Sequence, residues 1–261
     1  MRILHIFDTA GVGTTISETM DQLYRTKSKV LTTNGADPYR MAKIHSHFSG
    51  KLFLLSAFLQ AYPFDVVWCH YNDRLISPLR RFYGKKVLIM HYHGDDIRIG
   101  GWKKSEPFWG RADLIFISTP DLAELPGAPD VTLVPAPVDT RMFTRPAGIT
   151  GKGAVCFRTW QPHQDFAMML QNAEKNGLSP RVVDRHKEVI PHDRMPAFLS
   201  SFEYLIDQAP VAAFSRTALE ALALGLKVIR WDGSMVAGLP DSWKPENVSS
   251  VAYRSILKAR R

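Results

Sequence analysis

Val87-Leu88-Ile89-Met90-His91 runs without a break into Tyr92-His93-Gly94-Asp95-Asp96-Ile97-Arg98. The first part reads as a short hydrophobic strand. The second is a turn that gathers histidines, two carboxylates and an arginine at the strand's carboxyl end. Ligands in open α/β sheets bind outside the carboxyl ends of the strands, and charged groups there are costly to bury unpaired. The segment is therefore a candidate site, against the plainer reading of a satisfied turn closed by an Asp96–Arg98 ion pair. A metal is not expected, because only this one segment supplies ligands.

Outward from it the same alternation repeats. Strands are expected at Ile3–Phe7, Val30–Thr33, Val66–His70, Leu114–Ser118 and Thr132–Val134, with helices near Thr15–Arg25, Gly50–Ala61, Leu75–Tyr83 and Pro120–Leu125. Short β-rich runs alternating with helical periodicity predict a parallel sheet covered by helices. Residues 144–153, rich in glycine, proline and threonine and without an apolar period, read as a domain boundary. The alternation then restarts, with strands at Ala154–Phe157, Arg181–Val183, Tyr204–Ile206 and Val228–Arg230 and helices at Gln164–Lys175, Met195–Phe202 and Thr217–Leu224. The expectation is an α/β protein of two Rossmann-like domains facing across a cleft: residues 1–147 on the acceptor side and 148–261 on the donor side. The final helix, around Ser249–Arg261, is free to pack on either.

Composition fits a globular protein. Hydrophobic residues make up 45% and charged residues 22%, so disorder is not the default. The formal net charge of +8 suits an anionic partner without choosing among nucleotide diphosphate, nucleic acid and acidic membrane. Nucleic acid is the weakest of these, because the basic residues form no dense run or recognition motif. Cys69 and Cys156 sit in apolar runs and read as free thiols in a reducing compartment. The start Met1-Arg2-Ile3-Leu4-His5-Ile6 enters a strand at once, unlike a signal peptide, and no stretch of about 18 apolar residues offers a membrane span. The protein reads as cytoplasmic. Peripheral membrane contact stays open through Arg80-Arg81, Lys85-Lys86 and Lys103-Lys104, while the apolar run Leu52–Leu59 reads as a buried helix.

Two further segments carry chemistry. The turn Asp8-Thr9-Ala10-Gly11-Val12-Gly13-Thr14-Thr15 places glycines before a helix, where backbone can approach an anion. It is half of a dinucleotide fingerprint: the third glycine position is Ile16, and strand two ends Thr32-Thr33-Asn34 with no carboxylate for a ribose, which disfavours a nicotinamide enzyme. In the third segment a small-residue turn feeds Ser215-Arg216-Thr217-Ala218-Leu219-Glu220. Its free amides could grip a diphosphate and Glu220 could accept from a ribose. Thr217-x-x-Glu220 also fits a capping box, in which Glu220 only satisfies backbone donors.

Taken in order, the glycine turn, the His93-Gly94-Asp95-Asp96 segment, Val134–Phe143, Asp193–Leu199 and the Glu220 helix resemble the group 1 retaining glycosyltransferases of GT-B fold over nearly the whole chain. The resemblance implies that Gly11 and Gly13 approach the donor phosphates and acceptor, and that His93 lies beside the transferred sugar, with Asp95 and Asp96 on the sugar and acceptor side. It further implies that Arg158 binds phosphate and Glu220 binds the donor ribose, beside the amides of Ser215, Arg216 and Thr217 already read as a diphosphate grip. Two positions depart from the family: Ala212 stands where its first glutamate is found, and His163 where it has a lysine. The implied activity is metal-independent sugar transfer from a nucleotide-sugar substrate to a glycan, lipid or small-molecule acceptor, with no cofactor. The alternative is a non-catalytic nucleotide-sugar binding or regulatory module.

Overall fold

A computed structural model describes residues 1–33, 45–71, 73–148, 150–159, 165–207 and 213–260. The chain divides into two compact units, Met1–Pro137 with Pro245–Arg261, and Val138–Lys244. The division thus falls before the turn-rich stretch 144–153. The physical reason is packing: Val138 and Phe143 belong to the core of the second unit, and Arg145 donates to the carbonyls of Ser200 and Phe202 there.

The first unit contains β1 (Arg2–Ile6), α1 (Val12–Tyr24), β2 (Lys27–Thr33), β3 (His45–Ser46), α2 (Gly50–Gln60), β4 (Val66–His70), α3 (Ile76–Phe82), β5 (Val87–Tyr92), α4 (Asp95–Arg98), α5 (Trp102–Trp109), β6 (Leu114–Ile117), α6 (Asp121–Glu124) and β7 (Thr132–Leu133). Its sheet has the order β3-β2-β1-β4-β5-β6-β7, all parallel. Every residue of β4 and of β5 is buried, because helices cover both faces. On one face Leu4, Val67, Leu88 and Met90 pack under Phe53, Ile76 and Trp102. On the other, Ile3, Trp68 and Ile89 pack under Val12, Ile16 and Met20 of α1 and Val248, Ala252 and Ile256. The last three belong to the C-terminal helix, which therefore completes the first unit.

Helix α2 differs from its expectation. Only Phe53 and Ala57 are buried along it, while Leu52, Leu55 and Leu59 are 62%, 54% and 60% exposed. The run is apolar all round, but the sheet covers one side of it.

The second unit contains β8 (Ala154–Arg158), α7 (Phe166–Lys175), β9 (Arg181–Asp184), α8 (Met195–Ser200), β10 (Tyr204–Ile206), α9 (Arg216–Ala223), β11 (Lys227–Ile229) and β12 (Met235–Ala237); α10 (Pro245–Ala259) is the C-terminal helix of the first unit. The strand order is β12-β11-β10-β8-β9, parallel except for β12. Cys69 and Cys156 are buried free thiols, one in each sheet. No helix among the described residues is long and apolar enough to cross a membrane.

Candidate functional site

Each sheet has a point where strand order reverses, between β1 and β4 in the first unit and between β8 and β10 in the second. Such points open a crevice beyond the carboxyl ends of the strands. The polar residues buried near them form two clusters, one in each unit.

In the first unit, the turn after β1 brings Asp8 under the start of α1. Its carboxylate is fully buried and accepts the amide of Gly13 at 2.6 Å, the amide of Thr14 at 3.1 Å and the Thr14 hydroxyl. Gly11 enters the helix in the left-handed region, with φ 72°. A Cβ on Gly13 would stand 3.1 Å from Asp8 Oδ1 and 3.2 Å from His70 Nε2. The glycine is there to let α1 close on two polar side chains.

Four histidines cross the same sheet face. His5 comes from β1, His70 from the end of β4, and His91 from β5, with His93 just beyond. The β4–β5 register sets His70 opposite His91. The carbonyl of Val134 can only accept, so His91 carries its proton on Nε2, 2.9 Å from that oxygen and 3.0 Å from Ser118 Oγ. The Ser118 hydroxyl then donates to His93 Nδ1 at 2.8 Å. His93 Nε2–H donates to His70 Nδ1 at 3.1 Å, and His70 Nε2–H to His5 Nδ1 at 3.1 Å. Burial holds His5 and His93 down to about 3 and His70 and His91 well below the usual histidine range. All four rings are neutral at pH 7.

The α4 turn is closed from within. Asp96 accepts the amides of His93, Gly94 and Ile97; burial pushes its carboxyl up to about 6 against those three donors. The Asp96–Arg98 ion pair of the plainer reading does not form. Arg98 instead donates to both oxygens of Asp121, at 2.8 and 3.0 Å, and to Thr119, with Asp95 at 3.8 Å. Gly94, at φ 146°, makes room for that arginine: a Cβ there would lie 2.3 Å from Arg98 Nη1.

In the second unit Ser215 caps α9, its side chain accepting from the Ala218 amide at 3.1 Å. Glu220 therefore lies beyond the capping turn, and the Thr217-x-x-Glu220 box is not made. The Glu220 side chain, almost fully buried, accepts from Arg216 Nε at 3.1 Å and pairs with His192 Nε2 at 3.2 Å. Buried Asp207 at the end of β10 accepts the Ser215 amide at 3.2 Å. Arg185, just past β9, donates to Thr217 Oγ1 at 2.9 Å and stacks 4.7 Å from the Phe157 ring centroid. Arg158 ends β8 with its side chain exposed, its guanidinium 5.6 Å from the Phe166 centroid.

No protein-family model matches the chain, and no curated protein matches it by sequence. Solved structures do resemble it. Sucrose-phosphate synthase from Thermosynechococcus elongatus matches with a TM-score of 0.60 at 12% identity, over 100% of this chain and 91% of that one. A UDP-GlcNAc 2-epimerase from Neisseria meningitidis bound to UDP-GlcNAc matches at 0.51 and 13%, over 99% and 100%. The apo lipopolysaccharide outer core galactosyltransferase WaaB matches at 0.50 and 15%, over 100% and 92%. The fold is of the GT-B class.

Within this GT-B chain, Gly11 and Gly13 share the first cluster with His93 and Asp96, while Asp95 sits at its edge beside Arg98. Two of the residues expected to meet ligand directly have partners within the chain. The Gly13 amide is already given to Asp8, and both ring nitrogens of His93 are engaged by His70 and Ser118. Ser215, Arg216, Thr217 and Glu220 form the second cluster, and Arg158 lies at the same sheet edge. His163 and Ala212 lie outside the described residues. Sequence reading missed His5, His70, Asp8, Arg185 and His192. Only the paired positions of the strand ends could have pointed to the first two.

Proposed function

We propose that the chain transfers a glycosyl group from a nucleotide-diphosphate sugar to an acceptor hydroxyl, with retention at the anomeric carbon and no metal at the leaving group. The observation that carries this reading is the basic surround of the α9 start, where Arg185 holds Thr217, and Arg216 and His192 hold buried Glu220. A departing nucleotide diphosphate gains negative charge as the anomeric bond breaks. Arg158 and Arg185 stabilise that charge, and one preorganised donor of this kind is worth about 10²–10³ in rate. Glu220 accepts hydrogen bonds from the donor ribose, oriented by the Arg216 and His192 side chains that already grip it. Retention rests on the family resemblance alone.

The test is a thermal-shift screen against UDP, GDP, ADP and their sugar conjugates. A ligand at 100 times its dissociation constant stabilises the native state by about 2.7 kcal/mol, so one responding nucleotide series supports the donor site and names the base. No shift with any of them rejects the reading. A second reading, a nucleotide-sugar binding module without turnover, is favoured by the internal engagement of His93. Donor binding without transfer to, or hydrolysis by, any member of a broad acceptor panel decides for it.

We further propose that the first unit rests on anionic lipid. Leu52, Leu55, Leu59 and Tyr62, the last 75% exposed, make an apolar stripe along α2 and its end. Phe82, also exposed, packs edge-on to Phe58 of α2 and carries Arg81 over its ring, and Lys86 lies over Tyr62. An apolar stripe with a basic border matches the chemistry of a negatively charged bilayer surface.

A further inference from the structure

The proposed transfer gives no role to His5, His70 or His91, which line up with His93 across the sheet. His70, His91 and His93 each offer a ring nitrogen, and the three ligand atoms lie within 4.8 Å of one another. Sequence alone gave one segment with ligands; the β4–β5 pairing adds His70 from a strand more than twenty residues earlier.

We propose that His70, His91 and His93 form a binding site for a divalent transition metal of the zinc class. The hydrogen bonds around the rings assign the ligand atoms. His91 gives its Nε2 proton to the Val134 carbonyl, and its Nδ1 is a buried lone pair with no partner among the described residues. His70 gives its Nε2 proton to His5 Nδ1, leaving Nδ1. His93 has Ser118 Oγ at 2.8 Å from Nδ1, so a shift of its proton from Nε2 to Nδ1 leaves Nε2 facing His70 Nδ1 at 3.1 Å. The Ser118 hydroxyl turns to accept that proton. No proton has to leave the cluster.

In that arrangement every ligating histidine donates its other N–H to a named acceptor: His5, Ser118 or a backbone carbonyl. Such outer partners fix ring orientation and tautomer at metal centres. The orphan Nδ1 of His91, a cost in the metal-free protein, becomes a ligand. Zn–N bonds of about 2.0–2.1 Å place tetrahedral ligand atoms about 3.3 Å apart, close to the 3.1 Å already found between His70 Nδ1 and His93 Nε2. Imidazole nitrogens select zinc, cobalt, nickel or copper over magnesium and calcium. Three protein nitrogens leave a fourth position to an oxygen ligand.

The test uses tag-free, chelator-stripped protein titrated with Co²⁺ and followed by visible absorption, with Zn²⁺ competition and metal content by mass spectrometry. The expected result is one Co²⁺ per chain with the intense d–d bands of low coordination number, displaced by Zn²⁺. His91→Gln should weaken binding at least tenfold, and Ser118→Ala by about 10–100-fold, the usual effect of losing an outer partner. His186→Gln, outside the cluster, should change nothing. Absence of Co²⁺ bands at millimolar metal, or binding unchanged in His91→Gln, overturns the site. Should His91→Gln misfold by circular dichroism, ¹⁵N spectra of the wild-type histidine rings decide: Zn²⁺ must shift the nitrogens of His70, His91 and His93, and unshifted rings overturn the proposal. None of these readouts depends on donor binding or transfer.

Discussion

Asp8 Oδ1 accepts the backbone amide of Gly13 at 2.6 Å, so the first turn of α1 is filled by a carboxylate of the chain itself. A helix N-terminus attracts an anion through its free amides and its dipole. Here the anion is supplied five residues upstream, and the glycine turn is a structural closure before it is a ligand site. Asp8→Asn removes the charge and one acceptor from a buried group, which costs about 1–3 kcal/mol. The expected readout is a fall in Tm of roughly 2–4 °C per kcal/mol. An unchanged Tm would mean that the amides find water instead. Gly13→Ala should fall in the same direction, since its methyl group would press on both Asp8 and His70.

Glu220 is the sharpest test of the donor site. Glu220→Gln keeps the shape of the side chain but loses the charge that holds Arg216 and His192. Nucleotide affinity should fall at least tenfold in a calorimetric titration. Because Ser215 and not Glu220 caps α9, helix content by circular dichroism should stay at the wild-type value. Lost helix content with retained affinity would reverse the assignment.

Arg185 was invisible in the sequence, where it is one arginine among many, yet it reaches Thr217 across the loop at the carboxyl edge. Arg185→Met keeps an apolar contact to Phe157 and removes the cation. The expected loss is about 10²-fold in turnover, with nucleoside binding largely retained and diphosphate binding reduced. Equal losses for nucleoside and nucleotide would place Arg185 away from the phosphates.

The sheets and the segments at their strand ends were legible; the partners those segments meet across strands were not. Val66–His70 and Tyr204–Ile206 were read to the residue because strands buried on both faces are short apolar runs bounded by polar turns. Trp102–Trp109 was missed because Gly100, Gly101 and Pro107 mask its helical signal. The unit division falls ahead of residues 144–153 because Phe143 and Arg145 on its edge are tied into the second unit, which no local turn signal reveals. The histidine row needs residues 5, 70, 91 and 93, which only the β1–β4–β5 order brings together. Asp96 and Arg98 are near in sequence, yet each found a better partner: three amides for one, Asp121 for the other.

That last pairing has a pH signature. Burial alone would raise the Asp121 carboxyl, but hydrogen bonds from Arg98 and Thr119 and the Arg98 charge hold it below its ordinary value. A carboxyl depressed in the folded state adds stability that is fully present above the unfolded value of about 3.9. It is lost as pH falls through the folded value. Asp121→Asn should therefore melt below wild type at pH 7, by about 1 kcal/mol for a partly screened pair, and the gap should close as pH falls through the depressed folded value. A gap that persists in acid would assign the loss to packing rather than charge.

The exposed face of α2 separates membrane docking from ordinary surface. Leu55 and Leu59 point away from the core, so Leu55→Glu and Leu59→Glu together should leave Tm within about 1 °C, as surface changes usually do. In co-sedimentation, wild-type protein should partition onto vesicles containing anionic lipid and stay in solution with neutral ones. The double variant should lose that partition at least tenfold, because two apolar contacts go and two like charges approach the bilayer. Wild-type protein that ignores anionic vesicles would reject the surface outright. Binding that survives the substitutions but falls steeply with salt would move the contact from α2 to the lysines and arginines elsewhere on the chain.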